Sequence, residues 1–173
     1  VRCVYVVEPD LWRQPDAALQ HFEFVRESLR VLDAELRRVG GQVEVHTGEI
    51  TEVLGRLWHE VPFARMHAHE ETGNGWTYAR DLRVHAWCKA HGVTWHEYPQ
   101  FGVVRRLRHR NLWQGAYEEH MALPPETPGA LRFWSPVVWD SAWATGAPRP
   151  ATDLSPALTV ADLQAPAHLR HDP

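Results

Sequence analysis

Cysteine is nearly missing from this chain: Cys3 and Cys88 are the only two in 173 residues. Two thiols cannot build a disulfide framework, so the expected setting is a reducing cytoplasm. No stretch approaches the roughly 18 apolar residues of a membrane span, and the N-terminal residues lack a signal-peptide core. A surplus of basic charge is absent too. The formal net charge is −4, which argues against nucleic-acid binding spread over the whole surface, because neutralising phosphates takes clustered Lys and Arg. A local basic patch stays compatible with that figure. Three site signatures are also missing: G-x-G-x-x-G, GK[ST] and the G-x-S-x-G elbow.

What remains is an ordinary globular composition, 44% apolar and 23% charged, in a length that fits one domain with a tail. Nine tryptophans and twelve histidines stand out. So much Trp points either to a heavily aromatic core or to a surface built to meet something flat.

Hydrophobic periodicity orders the chain. "VRCVYVV" (1–7) is a β-branched run ending at the turn Glu8-Pro9-Asp10, and reads as a buried strand. Phe22, Val25, Leu29, Leu32, Leu36 and Val39 recur at spacings of three and four, which predicts an amphipathic helix stopped by Gly40-Gly41. "VEVHT" (43–47) alternates as a strand. Ile50, Val53, Leu54, Leu57 and Trp58 form the apolar face of a second helix that halts before Pro62. "ARMHAH" (64–69) is a third strand. Trp76 to Ala90 is helical with Ala79, Leu82, Ala86 and Trp87 inward, Gly92 ends it, and "VTWHEY" (93–98) is a fourth strand. A last short helix repeats Trp113, Tyr117 and Met121.

Strands alternating with helices over short connections predict an α/β fold: a Rossmann-like parallel sheet with helices on both faces, occupying residues 1–123. Nine of the thirteen prolines fall in 124–173 without periodicity, which predicts an extended Pro-rich linker there. In parallel sheets ligands bind beyond the carboxyl ends of the strands, here Glu8–Asp10, Thr47–Gly48, His69–Glu71 and Pro99–Gln100.

The densest stretch, "HEETGNGWTYARD" (69–81), sits at that edge. His67 and His69 share one strand face and could hold a metal in a hydrolase-like site, but a third ligand is not positioned by sequence, so no metal is expected. Glu70 and Glu71 are neighbours whose side chains diverge, a poor acid–base pair, better suited to capping the free amides of the next helix. Gly73 and Gly75 are expected to permit a tight turn with positive φ. Trp76 and Tyr78 either stack on a flat ligand or pack in the core. "RRLRHR" (105–110) is the one basic cluster, able to meet phosphate or an acidic neighbour, though a solvated turn is the simpler reading. Cys88 lacks a partner base and reads as a core thiol.

"HAHEETGNGWTYARDLRVHAWCKAHGVTWHEYPQFGVVRRL", with "VYVVEPDLW" before it and "LRHRNLWQGAYEEHM" after it, closely resembles the N-terminal domain of the DNA photolyase/cryptochrome family. The resemblance runs over roughly residues 1–125, and the combination of 69–81 with 99–107 is its most specific part. It implies an antenna-type α/β domain joined through a linker to a helical domain, which holds FAD and splits pyrimidine dimers in DNA under light. It further implies a second, light-harvesting chromophore, with Asp10, His69, Glu70, Trp76 and Tyr78 as candidates for its cleft. Where folate-binding members carry Asn-Glu this chain has Trp76-Thr77, so a folate antenna is disfavoured and a deazaflavin, a flavin or no chromophore is left open.

Two departures qualify the resemblance. The helical FAD domain lies outside these residues, so FAD and dimer cleavage belong to a complete parent protein. The family's first strand, with its apolar-Trp-Phe-Arg-Arg-Asp-Leu-Arg-like segment, has no counterpart, and a gap, a rearranged sheet or a swapped homo-oligomer is expected in consequence. Photolyase and cryptochrome activities are not separable at this stage. The rival readings are a stand-alone nucleotide-binding α/β module and the metal-dependent hydrolase.

Overall fold

A computed structural model describes residues 1–99, 103–105, 107–124, 129–134 and 158–171. Its elements follow the order β1 (Cys3–Val7), α1 (Leu19–Arg38), β2 (Val43–Thr47), α2 (Ile50–Glu60), β3 (Arg65–His69), α3 (Gly75–His91), β4 (Thr94–Tyr98) and α4 (Trp113–Met121), with 3-10 turns at Arg110–Leu112 and Val160–Asp162. This is an α/β fold with short parallel strands. The strands pair as β1 with β2 and β3 with β4, in two separate two-stranded sheets. The chain divides into two units, Val1–Gly48 with Pro128–Pro173, and Glu49–Thr127.

In the first unit α1 crosses from β1 to its parallel partner β2, which aligns Cys3 with Val43 and Val7 with Thr47. Gly40 stops the helix at φ +84°, a conformation costly for residues with a Cβ, and Asp33 reaches out of the helix to accept the Val43 amide at 2.8 Å. The core gathers Val7, Trp12, Phe22, Leu29, Val43 and Val45. Trp12 meets Phe22 edge to face at 4.8 Å, a favoured aromatic geometry.

The tail departs from the expected extended linker. Leu158 and Val45 exchange both backbone hydrogen bonds, at 3.0 and 2.9 Å. Val160, Leu163 and Leu169 are buried in the same core. The Leu19 amide donates to the Arg170 carbonyl at 2.7 Å, and the His168 ring bonds the Trp12 carbonyl at 2.7 Å. The stretch of 124–157 that carries most of the prolines lies largely outside the described residues.

The periodicity of α1 is real but its buried arc is narrower than expected. Phe22 and Leu29 are buried, whereas Leu32 and Val39 are 48% and 59% exposed. Phe24 and Val31 are exposed as well, so the helix is apolar over a wider arc than its own unit covers.

In the second unit β3 and β4 are parallel, with His67 opposite His96 and His69 opposite Tyr98. Glu49 caps α2, accepting the Thr51 and Glu52 amides at 2.7 and 3.1 Å. Leu54, Val84, Cys88 and Val93 form the core, flanked by Trp58, Phe63, Met66, Trp87 and Trp95. Much of the Trp content is therefore core. Helix α3 is rotated relative to expectation: Thr77, Val84 and Cys88 face inward, while Ala79, Leu82 and Ala86 face solvent. Asn74 caps its N-terminus, and Trp87 stacks on His91 at 4.2 Å. Burial pushes the Cys88 thiol pKa up, as befits a core thiol rather than a nucleophile.

One buried charge pair locks the first unit. Glu44 is buried on β2, and Arg2 grips it with Nε at 3.0 Å and Nη2 at 2.5 Å. Burial alone raises the Glu44 pKa, but contacts with His46 and Arg2 outweigh it and lower the pKa below its ordinary 4.5. A carboxylate with a lowered folded pKa stabilises fully above its unfolded value and loses that contribution as pH falls through the folded value. Glu44→Gln should therefore cost on the order of 1–3 kcal/mol near neutrality, by removing the charge that pairs with Arg2. Urea unfolding of both proteins should show the gap closing as pH drops below about 4.

Candidate functional site

The site is built where β3, α3 and β4 converge at the carboxyl ends of the strands. Asn74 ends the loop after β3 and caps α3, accepting the Trp76 and Thr77 amides at 2.9 and 3.1 Å. Glu71 accepts the Thr72 and Gly73 amides at 3.0 Å each and pairs with Arg80 at 3.2 Å. A carboxylate thus satisfies free amides here as expected, but in the loop, while Asn74 serves the helix.

The glycines of this loop correct the expectation of positive φ. Neither Gly73 nor Gly75 has it. Gly73 is required for space: a Cβ there would lie 2.8 Å from Thr77 Oγ1 and 3.1 Å from Glu71 Oε1.

Arg105 organises the charges. Its Nη1 donates to Glu97 at 2.9 Å, its Nη2 meets Asp81 at 3.3 Å, and its Nε lies 3.9 Å from Glu70. Nε also donates to the Glu71 carbonyl at 3.0 Å, and Nη2 bonds the same carbonyl. Burial acts to lower the Arg105 pKa, but Glu97, Glu70 and Asp81 together raise it. Arg80 joins Asp81 at 3.0 Å to Glu71 at 3.2 Å, extending the network along α3. The two adjacent carboxylates diverge as their positions require, Glu70 toward Arg105 and Glu71 toward Arg80. The arginine cluster read as a solvated turn therefore supplies a structural clamp at its first member.

The expected cleft residues scatter. Glu70 is part of the clamp, and His69 is exposed at the end of β3. Trp76 is half-buried, with the Arg80 and Arg83 guanidiniums each 6.0 Å from its ring. Tyr78 faces solvent on α3 at 64% exposure. Asp10 belongs to the first unit and pairs with Arg13 at 2.6 Å. Among the described residues no three His, Cys, Asp or Glu side chains gather as metal ligands. His67 instead bonds the Tyr98 hydroxyl at 2.8 Å.

Exposed ion pairs contribute about 0–1 kcal/mol each, and charge-assisted hydrogen bonds more. Replacing Arg105 by Ala removes several at once and takes the shared cation away from Glu70, Asp81 and Glu97. Arg105→Ala should lower stability by roughly 1–3 kcal/mol, and Arg105→Lys should recover less than half, because an ammonium cannot span these acceptors. Hydrogen exchange at the Trp76 to Arg80 amides in both variants measures the loss.

Comparison with known proteins follows the same outline. The family model described as DNA photolyase matches residues 1–111. An archaeal photolyase from Sulfolobus tokodaii is similar with 25% identity and a TM-score of 0.55, over 69% of this chain and 28% of that one. It is described as holding two FAD molecules, with a novel light-harvesting cofactor implied. A bacterial class III photolyase from Agrobacterium tumefaciens shares the fold at 18% identity and a TM-score of 0.53, over 64% and 23% of the two chains. The curated proteins yield no match. The chain spans about a quarter of the solved structures it resembles. With the family model covering more than half of its residues, the chain belongs to the DNA photolyase family.

Proposed function

We propose that this chain serves as the antenna-type α/β domain of a photolyase or cryptochrome-like flavoprotein. In this reading it works beside a helical FAD domain, and dimer cleavage in DNA belongs to the complete parent protein. The match of the photolyase family model over residues 1–111 carries the proposal. The likeness to the Sulfolobus tokodaii photolyase, described with a light-harvesting cofactor, supports it. A cytoplasmic setting completes the reading. Both cysteines are free thiols, and among the described residues no helix is long and apolar enough to cross a membrane.

The antenna chromophore we favour is a deazaflavin or flavin. Such a group absorbs light and passes its excitation on. The residues fit it in part. Trp76 is an indole over which the Arg80 and Arg83 guanidiniums already lie at 6.0 Å, each paired with carboxylates, so a planar ring would share that face with them. His69, exposed nearby in sequence at the strand end, can donate or accept a hydrogen bond. Glu70 is engaged by Arg105 and Asp10 by Arg13, while Tyr78 is turned outward, so these three contribute less.

The absorption spectrum of the purified chain, before and after adding flavin or deazaflavin, tests the proposal. A bound chromophore should absorb at about 350–450 nm, and Trp76→Ala should weaken its uptake. A colourless protein that takes up neither group would count against the antenna role. Dimer cleavage under blue light by this chain alone would contradict the division of labour.

A further inference from the structure

Strands buried on both faces of a parallel sheet are rich in Val, Ile and Leu, because helices cover each side. The β3–β4 pair keeps that rule on one face only. Met66 and Trp95 pack against the Leu54, Val84 and Cys88 core. The opposite face carries Arg65, His67 and His69 on β3, and Thr94, His96 and Tyr98 on β4. All six are exposed. This face has no aliphatic side chain and no carboxylate. The one acidic residue of β4, Glu97, is held by Arg105 and alternates to the other side.

The rings on this face are ordered. His67 stacks on its register partner His96 with centroids 4.9 Å apart and planes 15° from parallel. It also lies 5.9 Å from Tyr98 at 16°, and its Nδ1 is 2.8 Å from the Tyr98 hydroxyl. Near-parallel rings on an open sheet offer π-surface to flat partners. Arg65 sits one pair before the rings and His69 opposite Tyr98, so nitrogen donors flank them at both ends. A small ligand would leave most of its surface in water on so open a face. An extended chain of bases and phosphates gathers many weak contacts along it.

We propose that the exposed face of the β3–β4 sheet binds single-stranded nucleic acid, with bases stacking on His96 and Tyr98 and phosphate meeting Arg65. The binding is local, in keeping with a net charge of −4, and does not depend on a chromophore. It is sequence-tolerant, because every base has a π-face.

Fluorescence anisotropy of a labelled oligothymidylate of about 12 nucleotides, titrated with the full chain at low salt, is the test. Saturable binding that weakens with added salt is expected. His96→Ala should reduce affinity about fivefold or more, and His96→Phe should restore most of it by keeping a ring. Arg65→Ala should weaken binding and lower the salt slope by about one. Circular dichroism checks that each surface variant is folded. Absence of saturable binding at low salt would overturn the proposal. So would unchanged affinity in the folded His96→Ala/Tyr98→Ala double variant. Concentration-dependent self-association that His96→Ala abolishes, without oligonucleotide binding, would assign the face to a second copy instead.

Discussion

A two-stranded parallel sheet has too few ladder hydrogen bonds and too little covered surface to persist alone. Each of the two sheets in this chain therefore depends on side chains from outside its strands. For β1 and β2 the support comes from α1 on one side of the sequence and from the tail on the other, where Leu158 pairs with Val45 and Leu163 enters the core. For β3 and β4 it comes from α2 and α3, and from Arg105, which ties Glu70, Asp81 and Glu97 together. Remove these supports and the strands lose the burial that offsets the entropy of ordering them.

That dependence bears on the ligand edge. The loop from His69 to Asp81 is held by a chain of reciprocal polar contacts: Asn74 on the helix amides, Glu71 on its own loop, and Arg80 and Arg105 on the carboxylates. Charges that look catalytic in the sequence are thus largely consumed in positioning. Trp76 lies beneath two arginines, with the Arg80 and Arg83 guanidiniums each 6.0 Å from its ring.

The alternation of strands and helices was legible because period and punctuation agreed, as in the run from Phe22 to Gly40 and in the Gly92 end of α3, whereas the Asn74 cap emerged only in the structure. The rotation of α3 was not. Its Ala79–Leu82–Ala86 stripe and its Val84–Cys88 stripe are both apolar, so periodicity alone could not choose between them. The role of Arg105 was hidden because its partners lie 34, 24 and 8 residues away in Glu71, Asp81 and Glu97. The tail was hidden for a related reason. Val160, Leu163 and Leu169 are isolated apolar residues among prolines and polar groups, and only the folded core shows that they belong to it.

The claim that the first sheet rests on residues beyond its strands has a direct test in native-state hydrogen exchange of Leu163→Ala beside the unaltered chain. Losing a buried Leu costs about 2–5 kcal/mol, so the Val43–Thr47 amides should exchange at least roughly 30-fold faster in the variant. Unchanged protection of those amides, in a variant that remains folded, would contradict the account.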